Sequence, residues 1–199
     1  MTRGRRRGTL RLSLPRLKLA PLGLCAVLLI AAAPPESATL PPEPAGYRTS
    51  DYRAAVPATL NGRPALTTEQ AAALWRQGNA VFIDTLPQPP RPKGLPADTI
   101  WHPKPRADIP GSIWLPDTGY GELAPVMETW FEHNLQAATH GDRSRHLVFY
   151  CLANCWMSWN AARRAEALGY TQVDWYARGT DGWAAHGLPL EHREPEPRP

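Results

Sequence analysis

The sequence predicts an α/β fold in which a mainly parallel central sheet is flanked by helices. Three observations carry that prediction. Short apolar, β-favouring runs recur as "AVFIDT", "GSIWLP", "HLVFY" and "VDWYA". Between them lie segments whose apolar residues repeat at helical spacing. Strands that alternate with helices join by right-handed crossovers, which makes the sheet parallel and covers both of its faces.

Taken in order, the ordered part begins at Leu66. Thr67-Thr68-Glu69-Gln70 has the form of a capping box, in which a Thr hydroxyl and a Gln side chain satisfy free amides at a helix start. That helix is expected to run to about Gln77 and to stop at Gly78. Val81, Phe82 and Ile83 then form a buried strand ending at Asp84. Residues 86–111 contain Pro87, Pro89, Pro90, Pro92, Pro96, Pro103, Pro105 and Pro110, so a long, stiff excursion without regular structure is expected. Loops of that length usually cover or bind something. After the short "GSIWLP" strand, a helix over Glu122 to Leu135 places Met127, Trp130, Phe131 and Leu135 on one face. "HLVFY" is the third strand, with Tyr150 as its last residue. A helix from Ser158 to Leu168 sets Ala161, Ala162, Ala165 and Leu168 on one side and stops at Gly169; "VDWYA" is the fourth strand.

The 199 residues, 43% of them hydrophobic, suffice for one domain with a core. The first 38 residues stand apart. Arg3, Arg5, Arg6, Arg7, Arg11, Arg16 and Lys18 precede an apolar run from Leu19 to Ala33, which is short for a membrane span and is followed by Pro-rich polar sequence. This is the layout of an export signal over residues 1–38, cleaved near 33–38, and it predicts a periplasmic protein with no membrane segment once the signal is removed. Residues 39–63 read as an extended Pro/Ala-rich arm that packs in part through Tyr47 and Tyr52, and residues 64–194 as the domain. Without the signal the chain carries 15 basic and 17 acidic residues, so composition gives no support to a nucleic-acid surface. Cys25 leaves with the signal. Cys151 and Cys155 remain, in an oxidising compartment.

Those two cysteines sit in "YCLANCWMSWNAARRAEALGY", between a strand and a helix start. Loop amides and the helix dipole favour negative charge there, which lowers a thiol pKa and suits an oxyanion or a persulfide. Nucleophilic sulfur, phosphorus or arsenic chemistry fits such a place. Residues four apart at a helix start can also reach disulfide distance, so Cys151 and Cys155 could close a reversible bond or a structural one. Stapling so small a loop removes little chain entropy, which favours redox or sulfur chemistry over a staple. A third possibility is a soft ion: Cys151, Cys155 and Met157 together could hold Cu(I). No His follows Cys155, which argues against covalent haem, and the six histidines show no zinc spacing. Apart from that Cu(I) alternative, no cofactor is expected.

The segments "VFIDT", "DIPGSIWLP", "VFYC", "AARRAEALGYTQVDWYARGTDGW" (helix, strand and glycine-rich turn) and "AHGLPLE" together resemble a rhodanese homology domain over most of residues 64–192. The resemblance implies a small rhodanese-like α/β sandwich with Cys151 as the nucleophile. The string "CLANCWMSWNA", with "RPKGLPADTIWHPKPR" before "DIPGSIWLPDTGYG", is similar to exported proteins named for a CxxCW motif and found with pyrroloquinoline-quinone-dependent alcohol catabolism. Here the spacing is one residue longer than that label. The similarity implies an association with a periplasmic quinoprotein dehydrogenase system as partner.

Two departures bear on activity. A sulfurtransferase loop usually holds a basic residue for its anion, whereas Leu152 to Met157 contains none, and Ser158 stands where a related phosphatase needs Arg. Leu152, Ala153, Asn154, Trp156, Met157 and Ser158 are the loop's candidate substrate or anion contacts. The missing charge is sought in Arg106, with His102 and Lys104, or in Arg178 after the fourth strand. Asp84, at its strand end, is a further candidate. The expected chemistry has Cys151 attack a sulfane sulfur or a disulfide of a protein thiol partner, with Cys155 resolving the adduct. A non-enzymatic Cu(I)-binding or protein-interaction module is the alternative.

Overall fold

The computed structural model describes residues 40–101 and 105–199. The expected export signal, His102 and Lys104 lie outside the described residues. Residues 40–58 have no helix or strand, and then β1 (Thr59–Leu60) and β2 (Arg63–Pro64) form a small hairpin inside the segment expected to be a plain arm. The chain continues through α1 (Thr68–Gln77), β3 (Ala80–Asp84), β4 (Arg106–Asp108), β5 (Ile113–Trp114) and α2 (Pro125–Thr139). It closes with β6 (His146–Tyr150), α3 (Trp156–Ala167), β7 (Val173–Tyr176), α4 (Gly179–Ala185) and β8 (Glu191–Arg193).

The central sheet has the order β5-β3-β6-β7, and every pairing in it is parallel. Period-2 alternation sorts its side chains. Phe82, Val148, Tyr150 and Tyr176 pack with Ala71 and Ala72 of α1 and Trp183 of α4. Ile83, Leu147, Phe149, Val173 and Trp175 pack with Phe131 and Leu135 of α2 and with Trp159, Ala161, Ala162 and Ala165 of α3. Helices therefore cover both faces, as the strand and helix alternation predicts.

The helix ends follow from their caps. At α1, Thr67 Oγ1 accepts the Gln70 amide at 3.2 Å and Gln70 Oε1 accepts the Thr67 amide at 2.8 Å, so the expected capping box is formed. Thr67→Ala is expected to cost about 1 kcal/mol, while Thr67→Ser keeps most of it, measured by urea unfolding. Helix α2 begins at Pro125 rather than Glu122, because proline fits the first turn where no amide bond is needed. It then runs past Leu135 to Thr139. Helix α3 begins two residues before the expected Ser158: Cys155 takes the extended N-cap conformation, and the Tyr52 carbonyl accepts the Trp156 amide at 2.9 Å.

Two expectations need correction. The Pro-rich excursion does contain a strand, since Arg106–Asp108 lies between Pro105 and Pro110 with all its amides intact. It pairs antiparallel with β8, Asp108 opposite Glu191. The glycine-rich stretch after β7 is a short helix, α4, rather than a turn. Among the described residues no helix is long and apolar enough to cross a membrane.

Candidate active site

Parallel register lines up Trp114, Asp84, Tyr150 and Tyr176 across the carboxyl edge of the sheet. Cys151 is the next residue after Tyr150. In an open parallel sheet the carboxyl ends of the strands are where ligands and reactive groups collect. The chain reverses through Leu152, Ala153 and Asn154, the last in the left-handed region at φ 52°. It returns at Cys155, whose sulfur is bonded to Cys151 in a disulfide with the two Cα atoms 6.3 Å apart.

The loop is tied down on both sides. The Cys151 carbonyl accepts the Thr180 amide at 3.0 Å and the Arg106 guanidinium at 3.3 Å. The Ala153 amide donates to Asp181 Oδ2 at 3.0 Å. A carboxylate of the protein therefore holds a loop amide that an incoming anion would need. On the helix side, Trp156 donates its main-chain amide to Tyr52 O and its indole N–H to Ala55 O at 3.1 Å. Ser158 is buried; its hydroxyl donates to Cys155 O at 3.3 Å and accepts the Trp175 indole N–H at 3.0 Å. Gly119 lies against Met157 so closely that a Cβ there would sit 2.2 Å from the Met157 carbonyl oxygen.

The sulfur atoms are enclosed. Cys151 is 0% and Cys155 1% exposed; they form a cluster with buried Met157, covered by Tyr52, Leu86 and Leu152. A cleft of about 610 Å³ opens beside them, lined by Ala153 and Asn154 of the loop with Thr67, Glu69, Arg178 and His186. Arg178 is exposed there and makes no salt bridge among the described residues. The cysteines do not line this cleft. Among the described residues, no group of three or more His, Cys, Asp or Glu side chains could hold a metal ion.

Arg106 is the cation under the loop, but it is committed to neighbours. Its Nε lies 2.6 Å from Asp84 Oδ2 and 3.0 Å from Asp108 Oδ1, and its Nη2 lies 3.2 Å from Thr180 Oγ1. Asp84 in turn accepts the Leu86 amide at 2.8 Å. Arg106 and Asp84 thus brace the Cys151 carbonyl from below, and neither presents a free charge to a substrate. One guanidinium faces two buried carboxyls. Burial, and then the Asp84 carboxylate beside it, push Asp108 from 3.8 up to about 9. The proton that Asp108 then carries faces the Asp84 carboxylate, which is why that neighbour raises the value.

That proton has a stability consequence. Between pH 3.8 and about 9 the folded protein holds a proton on Asp108 that the unfolded chain releases, so stability falls as pH rises through this window. Urea midpoints are expected to drop from about pH 5 to about pH 9. Asp108→Asn, neutral throughout, should flatten that slope; an unchanged slope would show that Asp108 is ionised.

Of the sequence candidates, Cys151, Leu152, Ala153, Asn154, Cys155, Trp156, Met157 and Ser158 form one unit, with Arg106 and Asp84 beneath it and Arg178 in the adjoining cleft. Sequence reasoning missed Tyr52, Ala55, Asp108, Thr180 and Asp181. Asp108 falls in the quoted "DIPGSIWLP" and Asp181 in "RGTDGW", so both lay inside noticed segments. Ala55 acts through its main-chain carbonyl, which leaves no side-chain signal, and Tyr52, expected only to pack the arm, gives both its carbonyl and its ring to the loop.

The fold is α/β, with the candidate cysteine, Cys151, on the loop that joins the carboxyl end of a central parallel strand to a helix. The family model for the Rhodanese-like domain matches residues 67–186, and the chain belongs to that family. Among solved structures it is similar to an uncharacterized protein from Saccharomyces cerevisiae, at 22% identity and a TM-score of 0.37, over 62% of this chain and 92% of that one. It is also similar to EanB in complex with hercynine, at 19% identity and a TM-score of 0.44, over 72% of this chain and 35% of that one. A complex of EanB with ergothioneine gives 20% identity and a TM-score of 0.43, over 72% of this chain and 36% of that one. No curated protein matches the sequence.

Proposed function

We propose that this rhodanese-like protein uses Cys151 and Cys155 as a reversible dithiol/disulfide pair that handles sulfane sulfur or protein disulfides. The observation that carries the proposal is the disulfide itself, formed between the cysteine at the family's nucleophile position and its neighbour four residues on. The surroundings favour this over turnover of a small anion: the loop has no basic residue, Asp181 occupies one of its amides, and Arg106 is held by two carboxyls.

In the reduced form the Cys151 thiolate attacks the outer sulfur of a sulfane donor. A Cys151 persulfide forms and the donor's remaining thiolate leaves. Cys155 thiolate then attacks Cys151 Sγ, the internal disulfide closes and hydrosulfide departs. The two cysteines supply the two electrons, so a dithiol, itself oxidised to a disulfide, must restore them before another cycle. Reduced protein given excess sulfane donor is therefore expected to release a single equivalent of hydrosulfide and stop, resuming only when a dithiol is added. Continuous turnover without dithiol would mean that Cys155 takes no part.

The positively charged start and apolar run of residues 1–38 support export to the periplasm, and "CLANCWMSWNA" supports service to a pyrroloquinoline-quinone-dependent alcohol-oxidising system. Cell fractionation tests the first, and loss of growth on alcohols after gene deletion tests the second. A second chemical reading, Cu(I) held by Cys151, Cys155 and Met157, is favoured by the packing of those three sulfur side chains together. It requires stoichiometric Cu(I) binding by the reduced protein that either Cys→Ser change abolishes.

A further inference from the structure

Sulfur exchange needs contact with an outside sulfur atom, yet both cysteines are enclosed. Part of what encloses them is Tyr52, carried by residues 44–55, a segment with no helix or strand that is held along α3 largely by its main chain. Arg163 of α3 donates to the carbonyls of Pro44, Ala45 and Gly46. Asn160 pairs with both the amide and the carbonyl of Arg48, at 2.9 and 2.8 Å. Trp156 takes the carbonyls of Tyr52 and Ala55. Tyr52 is the central residue, because its carbonyl meets the amide next to Cys155 while its side chain packs on the cluster of Cys151, Cys155 and Met157. Val56 and Leu60 follow, buried in the core, so the segment is fixed at that end.

Donors that read successive main-chain carbonyls recognise an extended chain and are largely indifferent to its side chains. Resting on the redox reading above, we propose that residues 44–55 are a displaceable strap and that the partner is an extended polypeptide segment carrying a cysteine. It replaces the strap along α3 and sets its sulfur where Tyr52 stood. The partner's thiolate attacks the Cys151–Cys155 disulfide, forms a mixed disulfide with one loop cysteine and releases the other as a thiolate. A second thiol of the partner then attacks the mixed disulfide, leaving the loop reduced and the partner oxidised.

The experiment compares two thiols of matched pKa against the oxidised full chain: a small cysteine amide, and a linear peptide as long as the strap with one central cysteine. Mixed-disulfide formation is followed by alkylation and mass spectrometry. The peptide is expected to react about tenfold faster than the small thiol, since binding along α3 raises its local concentration. Arg48→Ala removes a guanidinium that lies 5.3 Å from the Trp156 ring centroid and leaves the cysteines and core in place, so it should raise the peptide rate further. Equal rates for the two thiols in the wild-type protein would overturn the strap and its polypeptide partner while leaving the redox pair standing. No reaction with either thiol would overturn the redox reading itself.

Discussion

Cys155→Ser is expected to accumulate a stable adduct on Cys151, and Cys151→Ser to lower adduct formation by about a thousandfold. The asymmetry follows from position. Cys151 leaves the sheet at the carboxyl end of β6, its carbonyl fixed by Thr180 and Arg106, whereas Cys155 is the N-cap of α3. A serine hydroxyl at 151 stays protonated and attacks sulfur poorly, so the first step fails. A serine at 155 permits the first step and blocks the second, because no neighbouring thiolate can expel hydrosulfide. Mass spectrometry of the peptide containing residue 151 separates the cases, the Cys155→Ser adduct being one sulfur atom heavier. Adduct on Cys155 in the Cys151→Ser protein would reverse the assigned roles.

Gly179→Ala is expected to destabilise the protein by about 3 kcal/mol and to loosen the loop as well. A Cβ at this residue would lie 2.4 Å from the Cys151 carbonyl oxygen and 2.8 Å from the Leu152 carbonyl carbon, both main-chain atoms with no rotamer to change. The position also has φ +50°, which an L side chain adopts at a cost. Relief requires α4 to move away from the loop, and that movement breaks the 3.0 Å bond from the Thr180 amide to Cys151. Gly187→Ala is the control. It has φ +66° but open space where the Cβ would go, so only the backbone cost of about 1 kcal/mol is expected there. Urea unfolding of the two variants separates close approach from backbone conformation, and similar losses for both would remove the claimed contact between α4 and the loop.

Much of the fold was legible because its cause is local and periodic. Val81 to Ile83, Leu147 to Phe149 and Val173 to Trp175 announce buried strands, and Thr67 with Gln70 announces a helix start. What escaped depends on partners far along the chain. Arg106–Asp108 and Glu191–Arg193 are three residues each, all polar but Ala107, and nothing in either reveals that they pair. The start of α3 at Trp156 depends on a carbonyl more than 100 residues earlier, at Tyr52. The site was legible as a pair of cysteines on a strand-to-helix loop, together with the absence of a basic residue inside it. Its enclosure was not, since it comes from Tyr52, Leu86 and Leu152, and Tyr52 is brought there by main-chain contacts of residues 44–55 with α3 that leave no mark in the sequence.

Redox titration of the oxidised full chain in thiol/disulfide buffers, with free thiols alkylated and counted by mass spectrometry, tests the Cys151–Cys155 pair most directly. The expected result is that Cys151 and Cys155 become alkylatable together, in a single reversible two-electron step that mild dithiols can drive. A disulfide that resists every mild dithiol while the protein stays folded would contradict it and leave the pair as a structural staple.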